Sequence, residues 1–138
     1  MFTHLRRHCR EQRGVAALET LIMVGVLLII AASAIEMAIY VFKVHQVQIA
    51  VDTTLKIMEK DGGYSAAAQQ NLAAVLQDGG IDPRQVTVTA TPPGQPYGTS
   101  LLLTVTYVHP MQTYAPTGAS AIGVSIVDRG HVISEYVP

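Results

Sequence analysis

Gly14 and Glu19 are the residues whose types and spacing point most directly to chemistry. The glycine closes a short arginine-rich leader, and five residues later a carboxylate stands near the front of a long apolar run. Glycine resists helix and suits a segment that a protease must take in extended form. An unpaired carboxylate in hydrocarbon is costly or takes up a proton, and a plain membrane anchor has no use for it. The spacing therefore asks for a functional explanation.

The other side chains that do chemistry are sparse. The histidines are His4, His8, His45, His109 and His131, and no pair sits four apart on a helix with a glutamate between. His4 and His8 are four apart but stand among arginines, which repel a metal ion. His45 reads as a solvated helix-face residue, and His109 and His131 as surface or edge residues flanking strands. Cys9 is the only cysteine, so nothing after the leader can form an intrachain disulfide. Nucleophile-elbow, P-loop and dinucleotide-binding patterns are missing. The expectation is a non-enzyme with no cofactor and no metal.

The elements that must position Gly14 and Glu19 begin with the apolar run. From Val15 to Phe42 the only charged residues are Glu19 and Glu36. As a helix those residues reach about 42 Å at ~1.5 Å per residue, against a hydrocarbon core of about 30 Å. The run is therefore read as a membrane span over about 15–42. Arg6, Arg7, Arg10 and Arg13 precede it and only Lys43 closely follows, so the positive-inside rule puts the N-terminus in the cytoplasm and the rest outside. Ala16, Ala17, Gly25, Ala31, Ala32 and Ala34 are small enough to let helices approach closely. The whole chain carries 9 basic and 10 acidic side chains, and removal of residues 1–14 leaves a mildly acidic remainder. Nucleic-acid binding has no electrostatic support in that balance.

Beyond Phe42, Val44, Val47, Val51, Leu55 and Met58 form one helical stripe, with polar residues filling much of the other face. The pattern predicts one continuous helix from about Val15 to Lys60, ended by Gly62-Gly63. Ser65 is a candidate N-cap for a second helix with Ala68, Leu72, Val75 and Leu76 on its apolar face, closed by Gly79-Gly80. Ile81-Asp82-Pro83 reads as a turn. The period then changes to two. Val86, Val88 and Ala90 mark a first strand, and Leu101, Leu103, Val105 and Tyr107 a second that His109-Pro110 ends. A loop is expected over Met111–Gly118 and a third strand over about Ser120–Val127. A tight turn at Asp128-Arg129-Gly130 and a fourth strand over about His131–Tyr136 complete an antiparallel meander packed on a helix.

The basic leader, the glycine and the glutamate five residues on resemble a type IV prepilin signal. Within that superfamily the chain is most similar to TadE-like pseudopilins, minor pilin-like proteins of Tad (Flp-type) systems. The matching residues are Arg13-Gly14-Val15-Ala16-Ala17-Leu18-Glu19, with Ile35-Glu36 as the second carboxylate that often closes their span. Ser134-Glu135-Tyr136 is similar to the ending of a related group of small Tad-like proteins. The specific part covers roughly residues 10–45. The resemblance implies cleavage between Gly14 and Val15 by a prepilin peptidase. It also implies that Glu19 pairs with the N-terminal amine of a neighbouring subunit and so sets register, with Glu36 as a second assembly residue. Implied partners are other pilin subunits, the peptidase, an inner-membrane assembly platform with its ATPase, and the lipid bilayer. Major Flp pilins are much shorter and usually carry tyrosine where Thr20 stands. Classical type IVa pilins begin with phenylalanine and kink their helix at a proline that this chain lacks.

Two other readings of the N-terminus stand beside this one. Ala32-Ser33-Ala34 is an A-x-A site at which a secretory signal peptidase would release a soluble domain starting at Ile35. The span could also remain as an uncut anchor. The expected fold is α+β and pilin-like. It comprises a leader over 1–14, a long helix over 15–61, and a small extracytoplasmic domain over 62–138 with a short helix and an antiparallel sheet.

Overall fold

A computed structural model describes the backbone of residues 3–115 and 118–137, and side chains from residue 15 onward except at 115 and 119. The side chains of the leader, His4, His8 and Cys9 among them, lie outside the described residues. The architecture is α+β: a long helix, a short helix and a three-stranded antiparallel sheet.

The first helix, α1, runs unbroken over Thr3–Asp61. Its 59 residues extend about 88 Å at ~1.5 Å each. The helix starts twelve residues before the expected Val15. The segment Leu5–Arg13 contains neither proline nor a β-branched residue, and the single Gly14 costs only ~1 kcal/mol, too little to break a helix between good formers. At the other end Gly62 takes φ 68° and the Gly63 amide donates to the Met58 carbonyl at 2.9 Å, the hydrogen bond of a Schellman ending.

The second helix, α2, covers Ala66–Asp78 with Ser65 as its N-cap, whose hydroxyl accepts from the Ala68 amide at 3.2 Å. The expected face is the one that packs: Ala68, Leu72 and Leu76 are buried and Val75 is half-buried. Gly80 repeats the positive φ of Gly62, and the Ile81 amide donates to the Leu76 carbonyl at 2.9 Å. Pro83–Gln85 form a single 3-10 turn capped by Asp82.

The three strands are β1 (Val86–Ala90), β2 (Ser100–Ala115) and β3 (Gly118–Ile133), in the order β1-β2-β3. Four short strands were expected after Asp82. Instead the second strand runs eight residues past Tyr107, and the third and fourth are one element. Two residues explain the difference. Leu102 exchanges hydrogen bonds with Thr91 on the β1 side, so even-numbered residues of β2 aim their backbone groups that way. Pairing with β1 stops at Val86↔Tyr107. Pro110 therefore stands where an open edge needs no donor, and the strand tolerates it. Gly130 pairs with Leu103 inside the ladder and makes no turn. A Cβ there would collide with Leu55 Cδ1, so the glycine serves close approach of β3 to α1. Ser134–Tyr136 form no strand.

The core lies between the last third of α1 and one face of the sheet. Val47, Ala50, Val51, Leu55 and Met58 meet Leu101, Leu103, Val105, Tyr107 and Ile126, with α2 and Ile81 closing the side. Asn71 donates to Thr53 Oγ1 and Thr54 Oγ1 at 3.3 Å each, tying α2 to α1 with buried hydroxyls satisfied. Ser134, fully buried, holds the C-terminal end: its Oγ donates to the Gln95 carbonyl at 2.9 Å and its amide to the Thr99 carbonyl at 2.8 Å. The Glu135 amide then donates to the Glu59 carbonyl at 2.8 Å, which ties the chain end to the end of α1.

Gly63 has φ 142°, and a Cβ there would run into the Pro92 carbonyl oxygen. Gly63→Ala is expected to destabilise the fold by ~1–3 kcal/mol, read as a lowered thermal midpoint by circular dichroism in detergent. Gly130→Ala, whose clash is with the flexible tip of Leu55, should cost less.

Candidate functional site

The strongest candidate site is the surface of α1 ahead of the folded domain. The stretch from Val15 is long and apolar enough to cross a membrane, and its most apolar window is wholly unburied. Residues 15–28 are all exposed, and of residues 15–42 only Ile29, Ala32, Glu36 and Tyr40 are half-buried. Two hydroxyls in this stretch are satisfied within the helix: Thr20 Oγ1 donates to the Ala16 carbonyl and Ser33 Oγ to the Ile29 carbonyl, both at 2.8 Å. That leaves Glu19 and Glu36 as its only charges.

The two carboxylates do not act together. They are separated by about 25 Å along the axis and about 100° around it, at ~1.5 Å and ~100° per residue. Glu19 is exposed among uncovered apolar side chains. Glu36 lies on the half-buried stripe with Ala32 and Tyr40. The backbone between Gly14 and Val15 is helical, so the expected scissile bond is intrahelical. Of the small residues, Ala16, Ala17, Gly25, Ala31 and Ala34 are exposed, and a Cβ on Gly25 would meet nothing within 4 Å. Together with Ala32 they spread over about half the circumference at ~100° per residue, so they form no single narrow stripe.

Sequence reasoning missed His109. It was expected at the surface, yet it is buried, its ring tilted against Tyr40 and Tyr107 with centroids 6.1 Å from each. Neither ring nitrogen has a hydrogen-bond partner, a loss of about 1–3 kcal/mol for a buried polar group. The alternation of β2 carried the signal: His109 follows Val105 and Tyr107 on the inward face once the strand is allowed past Pro110. His45 and His131 are exposed, as read from the pattern.

Lys43 marks the junction between the uncovered helix and the domain. Its Nζ donates to the Gly79 and Gly80 carbonyls at 2.9 and 2.7 Å, a cation on the carbonyl end of α2. A shallow groove between α2 and β1 is lined by Tyr64, Leu72, Leu76, Pro83, Val86 and Val88. Burial pushes the Tyr64 phenol up from its usual pKa, which keeps it neutral. Neither this groove nor the depression around Asp82 and Arg84 brings a nucleophile beside a base. No three His, Cys, Asp or Glu side chains converge among the described residues. The chain matches no protein-family model, no curated protein and no solved structure.

Proposed function

We propose that the chain is a TadE-like pseudopilin, a minor structural or assembly subunit of a Tad (Flp-type) pilus or related secretion machine. The observation that carries this reading is Gly14 five residues ahead of Glu19, the one charge on the uncovered apolar stretch 15–28. In this reading α1 inserts with the arginine-rich end in the cytoplasm and the small α+β domain outside. A prepilin peptidase cuts after Gly14. The mature subunit waits in the cytoplasmic membrane until an inner-membrane platform and its ATPase move it into a fibre.

In this reading the residues take the following physical roles. The peptidase must unwind α1 locally, and Gly14 is the residue at which helix is least favoured. Cleavage frees the Val15 amine. Within a bundle of apolar helices, the Glu19 carboxylate of one subunit and the amine of another recover by pairing much of the hydration they lose. They do so only in the correct register. Ala16 and Ala17, on the same exposed turn, leave room for the neighbouring helix. The folded domain is held rigidly to the last third of the same helix, so register set at Glu19 passes to the domain.

N-terminal sequencing of the protein from a host with the peptidase is expected to start at Val15. A start at Ile35 would mean signal-peptidase release, and an intact Met1 an uncut anchor. Gly14→Ala should lower the yield of the Val15 form at least about tenfold, ~1.4 kcal/mol in barrier terms, and a normal yield would sink prepilin-type cleavage. Glu19→Ala should leave cleavage intact and cut incorporation into fibres by about two to three orders of magnitude, since removing one partner of a buried pair costs ~3–5 kcal/mol. Normal incorporation, measured by immunoblot of sheared fibres, would remove the register role.

A further inference from the structure

The β2–β3 hairpin extends well beyond the rest of the sheet, and its position along α1 has a consequence for a membrane-inserted chain. The strands run along the helix: Glu135 is bonded to Glu59, Gly130 packs at Val51 and Leu55, and His109 packs at Tyr40. From His109 to Ala115 is a further six residues, about 20 Å of strand at ~3.3 Å each. That distance equals about 13 helical residues at ~1.5 Å each, so the arm ends level with about residue 27 of α1. The burial pattern agrees. Ile29, Ala32, Glu36 and Tyr40 are half-buried at helical spacing, and from Val15 to Leu28 every residue is exposed. On the arm, His109 is buried and Met111 and Thr113 are half-buried, while Val108, Pro110, Gln112 and Tyr114 face out.

A bilayer would cover the same face. The hydrocarbon takes about 20 helical residues, and any such window within residues 15–42 includes Ile29 and Ala32. The arm left in place would sit in hydrocarbon with two open edges. β1 stops at Val86↔Tyr107, and β3 pairs only with β2. Open sheet edges are not found facing lipid, because their unpaired amides and carbonyls have no partner there. The arm and the lipid therefore exclude each other from this face.

The arm is also built to leave. Beyond Tyr107 it is a two-stranded ribbon that keeps its own ladder wherever it goes. Pro110 faces Gly123 across that ladder, a rung with a glycine where a strand bends easily. Its inward face is only loosely covered near the tip: Thr113 Oγ1 donates to the Ser120 carbonyl at 2.9 Å, and Ser120 and Ile122 are exposed. Release would hydrate both unpartnered nitrogens of His109. Residues 85–127 contain no Asp, Glu, Lys or Arg, so nothing in the arm resists contact with a membrane surface.

We propose that residues 108–115 and 118–125, the paired strands of the arm, form a displaceable strap. It covers Ile29, Ala32, Glu36 and Tyr40 when α1 is outside lipid. When α1 crosses a bilayer, phospholipid takes that face and the strap rests in the headgroup layer on the side of the folded domain. The inference rests on the membrane-span part of the function proposed above.

The test uses the full chain with Cys9→Ser, a fluorophore on either Ala31→Cys or Gln112→Cys, and vesicles of phosphatidylcholine and phosphatidylglycerol. Ala31 and Gln112 are both exposed and make no side-chain hydrogen bond that the label would break. Nitroxide lipids labelled at the headgroup or in mid-chain report depth. Position 31 is expected to be quenched severalfold better by the mid-chain nitroxide, and position 112 severalfold better by the headgroup nitroxide. Mid-chain quenching at both positions means that the strap stays docked, and the proposal fails. Position 112 open only to aqueous iodide overturns its resting place on lipid. Protection of position 112 from iodide and both nitroxides points to a second copy of the chain and also overturns it. If position 31 escapes the mid-chain nitroxide, α1 does not cross, and the membrane reading fails with the strap that rests on it.

Discussion

One unbroken helix has to satisfy two different surroundings, and most of the structure follows from that constraint. Over Val47–Met58 α1 presents a single apolar stripe, and the sheet and α2 bury it completely. Over 15–28 the same helix is apolar all round and nothing covers it. No loop or glycine pair separates the two regimes, which belong to one continuous helix. A helix apolar on every side is stable only where its whole circumference is out of water. The folded domain covers at most one face of it.

The sheet is organised by that helix. Its strands lie along α1, and contact is closest where Gly130 lets β3 approach Val51 and Leu55. At the distal end of the core, Ser134 and Glu135 fasten the C-terminal segment to the 95–99 loop and to the carbonyl of Glu59. The residues that resemble a family ending, Ser134-Glu135-Tyr136, thus serve as a clasp on the end of the helix. At the near end the hairpin outruns β1, and on α1 Glu36 is half-buried where Glu19 is exposed.

Much of this was legible in the sequence. The membrane-length helix, both glycine-pair endings, the Ser65 cap, the buried face of α2 and the first strand were read from period and cap chemistry, which depend on neighbours three or four residues away. The errors share a cause. Pro110 and Asp128-Arg129-Gly130 are strong local breakers, and each was read as an end. Whether a proline breaks a strand depends on whether a neighbour needs its amide, and whether a glycine turns or packs depends on what approaches it.

The sequence by itself determined that one long helix would carry an apolar half and an amphipathic half, and that Gly14 and Glu19 would stand at its head. Those properties are set by residue type and short-range spacing. Only the tertiary structure decided that two expected strands are one, that His109 is buried without a partner, and that the β2–β3 hairpin runs on past β1 with His109 against Tyr40 of α1. These depend on contacts between residues about seventy to eighty positions apart, where local propensity is silent and packing against α1 selects the outcome.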